Sequence, residues 1–411
     1  MIGRISSLGS FGKFPIVPLT LAAGLALSAD WPGWRGPQRD AAVTEEPKSF
    51  PEKLSQKWRI EIGLGHSSPI LAAGSIYAFA RQGEQETAYS IDPATGKIRW
   101  QQQYPAPYKV NGAAAGHGPG PKSTPLYSNG KLYTFGISGI LSAFDAETGK
   151  LRWRKEFSKN QADTAPTFGT ATSPVLDRGL LIVYIGGEKT GAITAFDPAT
   201  GNTKWSWDGD APAYATPIVV DLNGTRQVVT QSRQNIVSLD EATGKLLWKI
   251  PFTTAYDQNI VTPVLYKDTL IFSGLDKGVF AVRVANNSPQ TVWQTKDASM
   301  YMNSPVLLGD LLIGFSHLKK GQIFCLDAGT GATLWMGSPR GGDNAAMLAS
   351  STTLYSLTSE SRLVIAKPTR KGLGEIRQYD VADSPTWAHP VVLSDGFLIK
   401  DLKSLTRFST Q

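Results

Sequence analysis

The chain has 411 residues, 41% hydrophobic and 18% charged, with 41 Gly and 26 Pro; this balance supports a buried core, excludes a disordered polymer, and interrupts the chain with turns throughout. The formal charge of +7 is scattered, with no basic run longer than Lys319-Lys320 or Arg370-Lys371, which argues against a nucleic-acid partner. One cysteine, Cys325, excludes an internal disulfide and reads as a buried strand residue in the apolar run 323–326.

Residues 1–29 differ from the rest. Arg4 and Lys13 precede an apolar, small-residue segment, Ile16 to Ala29, that ends Leu27-Ser28-Ala29. This order predicts a secretory signal peptide, too short and too interrupted by proline for a spanning helix. Its removal leaves an exported product, periplasmic or extracellular, with a charge of about +5 once Arg4 and Lys13 are gone. No cysteine adjoins the cleavage site, so no lipid anchor is expected there. Residues 30–54, with Trp31, Trp34, Arg35 and Arg39, are expected to form an arm packing on the outside of the domain that follows.

From residue 55 onward one pattern repeats. "SIDPATGKIRW" ends at Trp100, "AFDAETGKLRW" at Trp153, "AFDPATGNTKW" at Trp205, "SLDEATGKLLW" at Trp248 and "CLDAGTGATLW" at Trp335, while Trp293 and Tyr379 close drifted copies. A Ser/Thr-Pro pair precedes most copies: Ser68-Pro69, Thr124-Pro125, Ser173-Pro174, Thr216-Pro217, Thr262-Pro263 and Ser304-Pro305. The pattern lapses at Ala345-Ala346 and returns, altered, at His389-Pro390. After a first interval of 56 residues, these marks recur every 41 to 49, the length of four short strands in one propeller blade.

In the second repeat, strands are predicted over 123–128, 131–136, 140–145 and 150–157, with Asn129-Gly130 as a tight hairpin. The last repeat has room for only three strands. The missing one is Ser55 to Ile60, whose Trp58 lies 42 residues before Trp100. The chain is therefore expected to be all-β: an eight-bladed propeller of four-stranded antiparallel blades over 55–411, the last blade closed by an N-terminal strand. Seven blades of another type are the alternative.

The repeated residues have structural tasks. Asp92, Asp145, Asp197, Asp240 and Asp327 accept bonds from turn N–H groups; Gly96, Gly149, Gly201, Gly244 and Gly331 supply positive φ. Trp58, Trp100, Trp153, Trp205, Trp248, Trp293 and Trp335 offer apolar plates for docking neighbouring blades. A cluster of acids and bases for chemistry is seldom repeated around a ring. Repeats of this form resemble the tryptophan-docking repeats of the pyrroloquinoline quinone (PQQ) propeller superfamily. That superfamily includes quinoprotein alcohol dehydrogenases and the lipoprotein of the outer-membrane β-barrel assembly machine.

The resemblance implies an exported propeller, and the departures from it limit the function. The alcohol dehydrogenases hold their quinone under a disulfide between adjacent cysteines, are longer, and carry calcium ligands with no counterpart motif here. The lipidated cysteine of the assembly lipoprotein is also absent. The expected function is a binding or assembly scaffold of the cell envelope, monomeric, with an envelope protein or small-molecule ligand as partner. A small PQQ- and calcium-dependent alcohol or sugar dehydrogenase is the competing reading.

A specific site is expected where the segments leading into the innermost strands cross one face of the ring, because these differ between blades. The candidates are His66, His117, His389, Tyr214, Asn259, Asn303, Asp343 and Trp387. His66, His117 and His389, with Asp343 or Tyr214, are the candidates for a polar or metal-binding cluster at the channel mouth; lone solvated histidines are the alternative. The insertion Ala106 to Pro121, "APYKVNGAAAGHGPGP", is read either as a lid over the channel or as a surface loop.

Overall fold

A computed structural model describes residues 29–157 and 161–411; the predicted signal peptide lies almost wholly outside them. Eight four-stranded antiparallel sheets surround a central channel. Blade two contains Leu126–Ser128, Lys131–Phe135, Ile140–Asp145 and Leu151–Glu156, innermost to outermost. Asn129 and Gly130 both take positive φ, 46° and 72°, as a hairpin matching the strand twist requires. In blade eight, Ser55–Glu61 pairs antiparallel with Ser404–Ser409. One strand from the N-terminal part thus closes the ring, leaving no gap between first and last blades.

The inner strand of blade two starts at Leu126, three residues later than the sequence reading places it. Ser123 to Pro125 belongs instead to the crossing. There Thr124 N–H donates to Ser173 Oγ in the next blade at 2.9 Å, and Ser173 N–H donates to Thr216 Oγ1 at 3.0 Å. Thr262 N–H reaches Ser304 Oγ, and His389 N–H reaches Ser68 Oγ, both at 2.9 Å. The Ser/Thr-Pro pairs therefore bond blade to blade around the channel. Proline cannot donate, so the preceding hydroxyl supplies the polar link.

Apolar packing follows the same ring. Buried clusters lie between neighbouring sheets, as where Tyr77 and Phe79 of blade one meet Leu132 and Phe144 of blade two. The conserved-looking turn of each repeat sits outside these layers. In blade two, Asp145 Oδ1 accepts Thr148 N–H at 2.9 Å and the Thr148 hydroxyl at 2.7 Å. Trp100 of blade one docks on this turn, donating Nε1–H to Ala146 O at 2.9 Å. Trp58, Trp153, Trp205 and Trp293 make the same bond to the following blade. Trp335 reaches Thr369 O, whereas Trp248 turns to Gln227 Oε1 of its own blade; it faces the drifted Asn286-Asn287 copy, where the turn glycine is lacking.

Glu86 is fully buried between blades one and two, accepting from Tyr104 OH at 2.9 Å and Ile137 N–H at 2.7 Å. Burial pushes its carboxyl up to about 7, against the opposing pull of those bonds and of Arg81 and Arg154. The native state then binds a proton that the unfolded chain has released, so stability is greatest below the ordinary carboxyl value and falls as pH rises toward 7. Glu86→Gln is expected to flatten urea-unfolding stability between pH 5 and 8, removing a decline on the order of 2 kcal/mol in the wild type. An unchanged pH slope in the variant contradicts this assignment.

Candidate functional site

The arm does not lie on the outside of the ring. Innermost strands present unpaired N–H and C=O groups to the channel, and the arm supplies their partners. Trp31 exchanges backbone bonds with Leu71, Pro32 O accepts from Tyr127 N–H, and Val43 N–H donates to Ala349 O. These contacts reach blades one, two and seven. Arg39 extends to Leu176 O of blade three. Arg35, 1% exposed, donates to Ser304 O at 3.2 Å and Pro305 O at 2.5 Å in blade six, and to Arg39 O and Asp40 O of its own loop. The arm therefore spans the channel, and Trp34 projects from it.

Above Trp34 lies a cavity of about 390 Å³. Trp34 Nε1–H points at Thr262 Oγ1, 3.4 Å away, and its ring rests on His389, centroids 4.4 Å apart. The walls come from the crossings. His66 and Trp387 enter from blades one and eight, Lys122 and Phe168 from the approaches to blades two and three, and Tyr214 from blade four. Gln258, Tyr301 and Asn344 continue the wall, and Tyr256 stands at the rim, 82% exposed with φ 60°.

The insertion contributes directly. Its single helical turn, Gly112–His117, is capped by Asn111, whose Oδ1 accepts Ala113 N–H at 2.9 Å. That turn places Ala113 and His117 in the wall. Pro121 O accepts from His66 N–H and Ser67 N–H, while Gly120 packs against Gly65 so closely that a Cβ would fall 2.4 Å from its Cα. The two segments are thus fastened as one rim.

Among the sequence candidates, His66, His117, Tyr214, Trp387 and His389 all line this cavity. His117 and Trp387 rings are 4.7 Å apart, and His66 lies 5.9 Å from His117. His66 Nε2 is 3.0 Å from His117 O; a carbonyl only accepts, so Nε2 carries the proton. Burial first, then the neighbouring His117 and Lys122, pushes His66 down to about 3. Burial, aided by Arg35, pushes His389 to about 3 as well. Both are neutral at physiological pH, and burial lowers His117 also. Among the described residues, no group of three or more His, Cys, Asp and Glu side chains is arranged to hold a metal ion. The histidines share a cavity wall, spread between its rim and its floor, instead of converging as ligands.

Three candidates lie elsewhere. Asn259 is wholly buried, its amide donating to Ser232 O at 2.7 Å and Phe252 O at 2.9 Å. Asn303 bonds both ways with Phe315 of its own blade. Each asparagine, itself just ahead of an innermost strand, satisfies backbone groups at or just past the ends of other strands and is not among the cavity residues. Asp343 borders a shallower depression with Glu360 and Asp383. Conversely, Phe168, Tyr256 and Tyr301 line the cavity without having been singled out by the sequence, and Trp34, expected in an outside arm, lines it too.

No Asp or Glu is among the cavity residues. Calcium takes six to eight oxygen ligands, carboxylates prominent among them, so this donor set does not fit a calcium-held quinone. Cys325 is buried in blade six and cannot roof the channel. The fold and site together define an eight-bladed propeller whose channel is spanned by its own N-terminal arm and opens to an aromatic cavity.

The family described as "Outer membrane protein assembly factor BamB" matches residues 84–336. The chain belongs to that family. It is 25% identical over 306 residues to the outer membrane protein assembly factor BamB of Shewanella oneidensis, covering 69% of this chain and 73% of that protein. It is 27% identical over 176 residues to the dehydrogenase subunit of a quinone alcohol dehydrogenase from Komagataeibacter europaeus, covering 41% of this chain and only 23% of that subunit. The crystal structure of BamB from Moraxella catarrhalis aligns with a TM-score of 0.60 at 18% identity, over 87% of this chain and all of that one. That likeness concerns the fold.

Proposed function

We propose that the protein is an exported, non-catalytic propeller that acts as a binding scaffold in the cell envelope, with the channel cavity as its ligand site. The observation that carries this reading is the cavity lining: aromatic rings, neutral histidines and amides, without a carboxylate. Such a surface binds by stacking and hydrogen bonding. It lacks the carboxylate donors to hold calcium. Export rests on the order of charge, apolar core and small residues in 1–29, and family membership supports an envelope partner.

The competing reading is a PQQ-dependent oxidoreductase, favoured by the partial similarity to quinone alcohol dehydrogenase subunits. Dye-coupled oxidation of ethanol and glucose, after incubation with PQQ and Ca²⁺, separates the two. The expected result is no dye reduction above a protein-free control. Sustained turnover that requires both additions overturns the scaffold reading.

A further inference from the structure

Of the buried or half-buried cations at the channel, Arg35, Arg39 and Lys400 are spent on carbonyls, Arg39 on Leu176 O, and none of the three lines the cavity. The four Arg35 bonds all go to carbonyls. Lys400 Nζ is likewise enclosed by the carbonyls of Gly63, Gly65, Asp401 and Leu402, at 2.6 to 3.3 Å. Lys122 differs. Its ammonium donates to one carbonyl, Phe168 O, at 2.5 Å, and makes no ion pair with a described carboxylate. It lines the cavity, where no acid answers it.

Two further groups in the wall lack partners. Asn344 Oδ1 and His389 Nδ1 are buried without a hydrogen bond, in residues 6% and 5% exposed. Leaving such atoms unpaired costs about 1–3 kcal/mol each, a cost that water or a ligand relieves. They come from the crossings into blades seven and eight, whereas Lys122 enters from blade two. Trp387, Phe168, Tyr214 and Tyr301 line the same cavity.

On the reading of this cavity as a ligand site, we infer that its ligand is a small aromatic monocarboxylate bearing one N–H or O–H donor. The carboxylate pairs with Lys122, the ring stacks among the aromatic walls, and the donor faces Asn344 and His389. Charge balance selects one carboxylate: the cavity offers one uncommitted ammonium, and its histidines are neutral. Burial lowers Lys122 to about 8, which leaves it mainly protonated at neutral pH. A fused tricarboxylate such as PQQ brings two more negative charges than this wall can answer. The volume of about 390 Å³ lies at the small end of the range for ligand pockets.

Calorimetric titration of the whole protein with indole-3-acetate, its neutral isostere indole-3-acetamide, and PQQ tests the inference. Indole-3-acetate is expected to bind about tenfold more tightly than the amide, as a charge-assisted hydrogen bond implies, and more tightly than PQQ. Lys122→Met is expected to erase the preference for the acid while leaving amide affinity within about threefold; Lys122→Arg is expected to retain the preference. A single cooperative thermal transition in each variant, with a midpoint well above the titration temperature, verifies folding. Equal binding of acid and amide by the wild type, or a preference that survives Lys122→Met, overturns the inference and leaves the ligand site standing. Tighter binding of PQQ overturns it too. Failure of both indoles to bind also overturns the inference and leaves the ligand-site reading to be tested on its own.

Discussion

Gly149→Ala is expected to destabilise the protein by about 3 kcal/mol, whereas Gly130→Ala, in the same blade, costs about 1 kcal/mol. Both glycines have nearly equal positive φ, 74° and 72°, so both substitutions pay a similar backbone strain. They differ in what the new methyl meets. At Gly130 there is nothing within 4 Å, whereas at Gly149 the Cβ would stand 2.7 Å from Trp100 Cδ2. The indole must retreat, and its bond to Ala146 O at 2.9 Å is lost with the contact. Urea unfolding of both variants measures the difference. In a Trp100→Ala background the Gly149→Ala cost should shrink to that of Gly130→Ala, since the obstructing ring is gone. Equal costs at the two glycines in the wild-type background contradict the docking account.

Arg35→Ala is expected to cost about 3–4 kcal/mol and to release the arm from the channel. Its guanidinium is the arm's deepest anchor, and truncation leaves the carbonyls of Ser304 and Pro305 buried without that donor. Burial lowers the Arg35 pKa to about 10, which still leaves it charged at neutral pH. Arg35→Met restores bulk without charge and should recover only part of the loss. Limited proteolysis reads the release separately from global unfolding: cleavage between residues 29 and 54 should accelerate while the ring remains resistant. Wild-type cleavage rates in Arg35→Ala would show that the backbone pairings of Trp31 and Val43 hold the arm alone. Because Trp34 lines the cavity, a released arm should also abolish binding of the proposed ligand there.

The propeller was legible because its information is repeated. Period-two apolar alternation, Asn129-Gly130, and the Asp-Thr-Gly turn each specify local geometry, and their spacing specifies the blade. The closing strand was legible from Trp58, one repeat length ahead of Trp100. The arm's path was not. Its backbone bonds to innermost strands leave no side-chain signature in Trp31 to Val43, and an arginine buried against carbonyls, as Arg35 is, reads in sequence like a solvated one. The candidate cavity was legible at the level of crossings, which bring His66, His117, Tyr214, Trp387 and His389 to one wall. Sequence position locates a crossing but not the direction of its side chain. Asn259 and Asn303, polar and next to strand starts, turn inward to satisfy backbone groups. Phe168 and Tyr301 carry no sequence mark that separates a cavity aromatic from a core one, and Lys122 has no motif to distinguish an ammonium that lines a cavity from a solvated one.

Calorimetric titration of the purified protein with Ca²⁺, in the presence and absence of saturating PQQ, tests most directly whether this channel is a ligand cavity or a quinone site. A wall without carboxylates predicts no saturable Ca²⁺ binding in either condition. Stoichiometric Ca²⁺ uptake that appears only with PQQ would contradict it.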